Sequence, residues 1–378
     1  MEAFSFHIYT RNGFELVKDK KEARDKTFQC IISDLGAFYE IIVYKEVRSK
    51  KVKKITFIDS LKIINMKVSD IAKTFNLPIS KLTIDYNKPR EIGYILTDEE
   101  IEYVQNDVKI VAMALNELFK EKLTKMTAAS NAMHYYKEIT GRQKFEHYFP
   151  TLTPEEDSLI RPSYKGGFTY LNPIYKDLEL RDVYIMDVNS LYPSRMRFET
   201  LPFGKPVYFK GQYKEDKLYP LYIQSISCSF KIKKNKIPTI QIKQKNFFFL
   251  PNEYIEDSKG EEFVLTLTNI DLEMFFKHYD VENLIYLDGF KFRAIRGLFD
   301  KYIDYWTEKK IQAGKEGNKG KRTIAKMQLN SLYGKFAKSC IIKSKYPFLG
   351  SDGTIHFTMS EAEQKNGIYL PVACFITA

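Results

Sequence analysis

The sequence predicts a multidomain α+β protein, and three observations lead there. The chain has 378 residues, of which 44% are hydrophobic, enough for two or three domains with their own cores. Its patterning alternates between short runs rich in β-branched and aromatic residues and long stretches at helical spacing. Prolines at 150, 154 and 162 punctuate the chain and mark a domain boundary near 150–165.

Residues 28–44, FQCIISDLGAFYEIIVY, read as two strands around Asp34-Leu35-Gly36. A basic hairpin turn at 47–54 leads into ITFIDSLKII, a further strand, so the chain opens as a meander. Asp70–Phe75 reads as a short helix. Thr97 followed three residues later by Glu100 is a capping box, and the helix it starts runs from Asp98 to about Glu121. Ile101, Val104, Val108, Val111, Ala112, Leu115 and Leu118 give that helix an expected buried face. Residues 123–150 continue as helix and connector. VYIMDV is an apolar strand ending at Asp187. Residues 201–297 hold many strand-like runs and a helix near 271–278. Residues 298–334 turn helical and basic, and 341–370 return to short strands with Gly350, Gly353 and Gly367 at turns.

The net charge of +11, from 59 basic and 48 acidic residues, favours a phosphate-bearing partner. Tyr and Phe, 26 and 28 in number, suit stacking surfaces, and an A/T-rich coding sequence would favour them equally. Four scattered cysteines and five histidines make no zinc spacing, so the thiols are expected free and mostly buried, as in a reducing compartment. No apolar run reaches membrane-spanning length, and the N-terminus lacks the pattern of a signal peptide.

Two constellations carry chemistry. In DVNSLYPS, Asp187–Ser194, a strand delivers a carboxylate that can hold Mg²⁺, and the turn after it can face a triphosphate. A capped surface turn would look the same. In KMQLNSLYGK, Lys326–Lys335, helical spacing puts Arg322, Lys326, Asn330 and Tyr333 on one face: two cations, an amide and a ring, suited to a triphosphate and a base. A solvated basic face has the same spacing. GKEGNKGKRT (314–323) fails the phosphate-loop pattern, because Lys319 stands where glycine is required; it reads as a basic fingertip loop.

MDVNSLYPS resembles motif A, and KMQLNSLYG motif B, of family B DNA polymerases. FPTL (149–152), YKGGFTYLN (164–172), IPTIQIK (237–243), EYI (253–255), DGFKFRA (288–294), GLFDKYIDYWTEKK (297–310) and LPVACFITA (370–378) resemble the protein-primed branch of phages and linear plasmids, along nearly the whole chain. The resemblance implies template-directed DNA synthesis by deoxynucleotidyl transfer. It implies that Asp187 binds the catalytic metals, Mg²⁺ or Mn²⁺, and that Tyr192 is a steric gate against ribonucleotides. Lys326, Arg322 and Lys310 would contact the incoming dNTP, with Asn330 and Tyr333 lining the base-pair pocket. Tyr164, Gly166 and Gly167, in YKGG, would hold the template strand. The domains it implies are a partial RNase H-like 3′–5′ exonuclease over 1–150, a linker and partial palm over 151–200, and a first, mainly β insertion touching the priming protein and DNA over 201–297. Helical fingers follow over 298–335, a second insertion over 336–370, and a returning palm at 371–378.

Within 1–150, Tyr103 and Asp107 resemble the third exonuclease motif, Tyr-x3-Asp, with Asp107 a metal ligand. Ser60 and Leu61, in SLKII, resemble the single-strand-binding motif, and Lys81 resembles an auxiliary catalytic lysine. The departures are as informative. The first two exonuclease motifs and the Asp-Thr-Asp motif C are absent from this sequence, so the expectation is an internal fragment, inactive alone. The alternative is a non-catalytic DNA-binding subunit or relic that complements a second chain carrying motif C. Expected partners are primer-template and single-stranded DNA, dNTP and the terminal (priming) protein, with no membrane. The expected setting is the cytoplasm of a bacterial or phage-infected cell, an organellar plasmid being the other source of such sequences.

Overall fold

Alternation of β-branched and aromatic residues makes strands wherever a partner strand can accept their backbone groups. The computed structural model describes residues 2–33, 38–46, 51–91, 93–241, 254–363 and 369–378. Strands β1 (Glu15–Leu16), β2 (Thr27–Ser33), β3 (Phe38–Glu46) and β4 (Val52–Ile58) come first. The second group is β5 (Thr200–Lys210), β6 (Leu221–Ile232), β7 (Ile240–Gln241), β8 (Tyr254–Ile255), β9 (Phe263–Thr268) and β10 (Tyr279–Arg296). A last hairpin is β11 (Ile341–Leu349) and β12 (Ile355–Glu363). The fold is α+β. The expected turn at 34–36, residues 47–50 of the one at 47–54, residues 242–253 and Gly367 lie outside the described residues; Val52–Lys54 of that turn belong to β4, and the strand expected over 55–64 stops at Ile58 before a 3-10 turn, Ser60–Lys62. The chain forms two compact units: residues 1–135, 306–331 and 341–364 in the first, and 136–305, 332–340 and 365–378 in the second.

In the first unit β2, β3 and β4 form the expected antiparallel meander, with Cys30 opposite Ile41 and Ile42 opposite Thr56. β1 lies parallel to β2, and β11 joins β2 through Ser344 opposite Ser33 and Lys345 opposite Ile32. The sheet order is therefore β12-β11-β2-β3-β4. Under it sit Phe28, Ile41 and Val43, covered by Phe6 from a helix, Glu2–Arg11, that the sequence reading did not identify. The helix Asp98–Lys120 starts at the Thr97–Glu100 capping box, with Glu100 N–H donating to Thr97 Oγ1 at 3.3 Å and Thr97 N–H to Glu100 Oε2 at 3.0 Å. Its buried face differs from the expected one: Glu100, Tyr103, Ile110, Ala114 and Leu118 are buried, while Ile101, Val104 and Val108 are exposed. Two apolar stripes share this helix, and the packed one carries Tyr103 toward residues 81–86. The fingertip loop is also shorter than 314–323. Asp300–Lys315 and Lys319–Ser331 are both helical, and Asn318 Oδ1 accepts from Lys321 N–H at 3.0 Å to start the second helix.

In the second unit an antiparallel sheet, β5-β10-β6-β9, carries the helix Asn269–His278. Ile226, Cys228, Phe230, Leu267, Leu272, Phe275 and Tyr279 form its core. Gly289 is required there: a Cβ would stand 2.2 Å from the Ile223 carbonyl oxygen and 2.5 Å from the Phe209 ring. A second, aromatic core joins Tyr136, Phe145, Phe149, Phe299, Phe336 and Tyr369. Tyr136 stacks on Phe299 at 4.9 Å, and the Tyr136 hydroxyl donates to the Leu298 carbonyl at 2.9 Å. Helix Leu370–Thr377 is buried from Leu370 to Ile376, which its uninterrupted apolar sequence demands. None of the four cysteines is in a disulfide, and Cys228 and Cys374 are buried.

Candidate functional site

The first unit gathers one polar cluster from two places in the sequence. Tyr103 and Asp107 lie four residues apart on one face of the helix Asp98–Lys120. Lys81, from the irregular segment before it, donates to the Tyr103 hydroxyl at 2.6 Å and to Asp107 Oδ2 at 2.5 Å. Tyr86 reaches the same hydroxyl by a hydrogen bond and meets the Tyr103 ring edge-on. Burial works against the charge on Lys81, but the bonds to Asp107 and Tyr103 outweigh it and hold its pKa above the ordinary lysine value. The Tyr103 phenol is raised as well: the bond to Lys81 lowers it, while the bond to Tyr86 and burial raise it. Asp107 Oδ1 is buried and has no hydrogen-bond partner among the described residues, leaving one carboxylate oxygen with acceptor capacity.

The segment that carries Tyr86 is pinned to the helix N-terminus. Arg90 Nη2 donates to Glu100 Oε1 at 2.7 Å and to the Asp85 carbonyl at 3.1 Å. The backbone N–H of Thr97 comes first, and Arg90 also contributes, in holding the Glu100 carboxyl down at about 2. Neither Tyr86 nor Arg90 stood out in the sequence. Both lie in irregular chain, and no spacing rule links them to Tyr103 or Glu100.

On the helix Lys319–Ser331, Arg322, Lys326 and Asn330 are exposed, as their spacing requires of one face. Lys310 lies half-buried on the helix Asp300–Lys315. Ser60 and Leu61 form a short 3-10 turn whose Leu61 N–H donates to Asp59 Oδ1 at 2.9 Å, leaving the Leu61 side chain exposed.

The second unit brings Tyr164, Gly167, Tyr192 and Tyr333 together. Tyr192 and Tyr333 stack with ring centroids 4.2 Å apart and planes at 23°. A Cβ on Gly167 would stand 3.0 Å from the Tyr192 hydroxyl, a tight contact, while Gly166 faces open space. Burial, then Tyr192, pushes the Tyr333 phenol up to about 12. Burial also raises that of Tyr164, with Cys374 and Tyr192 adding to it.

The strand expected to deliver Asp187 is absent. Residues 183–188 have no regular structure; Tyr184, Ile185 and Met186 are 90%, 93% and 91% exposed, and Asp187 is exposed with them. A strand needs neighbours for its N–H and C=O groups, and no described strand pairs with this one. Beyond it Ser190 turns the chain with φ of +53°, and the helix Leu191–Phe198 places Tyr192. The fit to divalent metal is accordingly poor. Among the described residues no three His, Cys, Asp or Glu side chains gather at one point, and Asp107 and Asp187 each offer a single carboxylate.

Comparison with known proteins gives the family of the chain. Residues 28–378 match the family described as DNA polymerase type B, organellar and viral. The DNA polymerase of Bacillus phage Nf is 44% identical over 376 residues, covering 100% of this chain and 64% of that protein. That of Bacillus phage phi29 is 42% identical with the same coverage, and that of Streptococcus phage Cp-1 is 34% identical, covering 92% of this chain and 61% of that protein. The solved structure of phi29 DNA polymerase complexed with primer-template DNA superposes with a TM-score of 0.92 at 41% identity, covering 100% of this chain and 64% of that one; the complex with single-stranded DNA gives 0.91. The chain thus spans less than two thirds of the length of the phage polymerases it matches. A family match running from β2 through the last helix settles its kinship: the chain belongs to the type B DNA polymerases of organelles and viruses.

Proposed function

We propose that this chain is the part of a protein-primed DNA polymerase that holds template and nucleotide for deoxynucleotidyl transfer. The observation that carries the reading is the Tyr164–Gly167–Tyr192–Tyr333 grouping, where a close backbone approach and two stacked rings make a surface for bases and a sugar. Tyr164, Gly166 and Gly167 would hold the template strand, Tyr192 would exclude the ribose 2′-hydroxyl, and Tyr333 and Asn330 would face the base pair. Lys310, Arg322 and Lys326 would meet the triphosphate of a dNTP. Lys81, Tyr103 and Asp107 would form the exonuclease-like centre, with Ser60 and Leu61 holding a single strand. The domain divisions proposed with these roles are 1–150, 151–200, 201–297, 298–335, 336–370 and 371–378, with 201–297 facing the priming protein.

Mg²⁺ or Mn²⁺ would be held at two separate centres, by Asp107 in the exonuclease-like one and by Asp187 in the polymerase one. Because the described residues do not gather a full ligand set, we derive no step through the metal, and we propose that the chain binds DNA but is inert without a second polypeptide. The exposed Asp187 also favours the second reading, a DNA-binding subunit that complements a chain carrying the remaining carboxylates. The cytoplasm of a phage-infected bacterium is the proposed setting. No described helix is long and apolar enough to cross a membrane.

The test is primer-template and single-strand binding across a salt series, with primer extension and strand degradation in Mg²⁺ and Mn²⁺. Affinity is expected to fall steeply with salt, because basic side chains that meet phosphates release counterions. A flat salt response rejects the DNA groove. Extension that disappears in Asp187→Ala rejects the claim that the chain is inert alone.

A further inference from the structure

The proposed pocket of the second unit is walled by two pieces of chain with little rigidity of their own. Tyr164–Gly167 has no regular structure, and Tyr333 opens a helix of four residues, Tyr333–Phe336, too short to stand alone. Beside the Tyr192 ring that lies between them, Arg161 ties the residues before the one to the residues after the other. Arg161, at the end of the helix Pro154–Ile160, forks onto Asp157 with Nε–Oδ2 and Nη2–Oδ1 both 2.6 Å. Its other N–H groups donate to the carbonyls of Ala337 at 3.1 Å and Lys338 at 3.2 Å, just beyond the Tyr333 helix. Asp157 is buried, its side chain 5% exposed.

An ion pair one turn apart on a wet helix contributes little. Here the carboxylate is buried, and the guanidinium spans to backbone 176 residues away in sequence. Four hydrogen bonds to one carboxylate and two carbonyls exceed the three donors of an ammonium and suit the five of a planar guanidinium. The chain after Arg161 is fixed too: Tyr164 N–H donates to the Arg161 carbonyl at 3.0 Å, and Ser163 Oγ to the Ile160 carbonyl at 2.7 Å.

We propose that Arg161, aimed by Asp157, is a positioning residue that sets the spacing between the Tyr164–Gly167 corner and the Tyr333 helix, and thereby holds Tyr333 in its stack on Tyr192. Its consequence for DNA rests on the pocket reading above; its structural content rests on these hydrogen bonds alone. A sequence signal was present, since Asp157 and Arg161 stand four apart at the end of a helix.

The test uses the full chain labelled with 3-fluorotyrosine, read by fluorine NMR, with lines assigned through Tyr333→Phe, Tyr192→Phe, Tyr213→Phe and Tyr222→Phe. Tyr213 and Tyr222 stack at 3.9 Å elsewhere in the same unit and serve as the internal control. Arg161→Met is expected to move the Tyr333 and Tyr192 lines together while the control lines stay. Arg161→Lys, which keeps the charge but cannot make all four hydrogen bonds, is expected to move them less, and Asp157→Asn in the same direction as Arg161→Met. Primer-template affinity should fall about tenfold in Arg161→Met, as for the loss of about 1.4 kcal/mol. If Arg161→Met unfolds, seen by circular dichroism, Arg161→Lys decides. Unmoved Tyr333 and Tyr192 lines, or control lines that move equally, overturn the proposal. A wild-type chain that binds no DNA overturns the pocket reading, while the fluorine lines still decide the positioning role.

Discussion

Asp107 and Asp187 are both carboxylates that sequence patterning singles out, and their surroundings could hardly differ more. Asp107 sits on a helix of 23 residues, and one segment of chain supplies the lysine and the tyrosine that complete its cluster. Asp187 sits on chain with no regular structure, exposed beside the exposed apolar side chains of Tyr184, Ile185 and Met186. A helix satisfies its own backbone and needs only one face covered. A strand is defined by its neighbours, and without them its sequence specifies nothing.

Four measurements sharpen or break this contrast. Tyr103→Ala, which removes a ring with 9% exposure and the hub of the cluster, should destabilise the first unit by about 3 kcal/mol in denaturant unfolding. A cost below about 1 kcal/mol would show that the cluster is not formed in solution. Lys81→Met should cost about 1–2 kcal/mol, since Asp107 loses its cation while water still reaches part of it. The third test is acid. The Glu100 carboxyl is held at about 2 against an ordinary 4.5, so its contribution is complete above pH 4.5 and lost as pH falls through about 2. Glu100→Gln should therefore flatten the pH dependence of stability in that window and leave its slope above pH 5 unchanged; an equally steep acid loss in the variant would remove Glu100 from the account. The smallest effect is expected at Ile185→Ser, within about 0.5 kcal/mol of wild type. A cost like that of Tyr103→Ala would mean that residues 183–188 are packed in solution, and the contrast would fall.

Local rules made much of the fold legible. The capping box fixed the start of the long helix at Thr97, and the aromatic and β-branched runs located β2, β3 and β4. Which face of that helix is buried was not legible, because Ile101, Val104 and Val108 recur with the same helical period as Tyr103, Ile110 and Ala114. Spacing also put Tyr103 and Asp107 on one face, but no periodicity reaches from Tyr86 to Tyr103 or from Arg161 to Ala337, since those contacts join irregular chain across long separations. The stack of Tyr192 on Tyr333 lies in the same class: two motifs placed correctly along the chain, with nothing in either to say that their rings meet.

The seam between β11 and β2 has a consequence for how the chain is made. Two residue pairs join these strands, and the Tyr346 hydroxyl secures them by donating to the Leu16 carbonyl at 3.1 Å, across 330 residues of sequence. A ribosome delivers Tyr346 330 residues after Leu16, so the outer edge of β2 waits, partly unpaired, while that length of chain is made. During that interval it is a template for any other nascent strand. The yield of correctly folded protein should therefore depend on translation rate and on holding chaperones more than on the final stability of either unit.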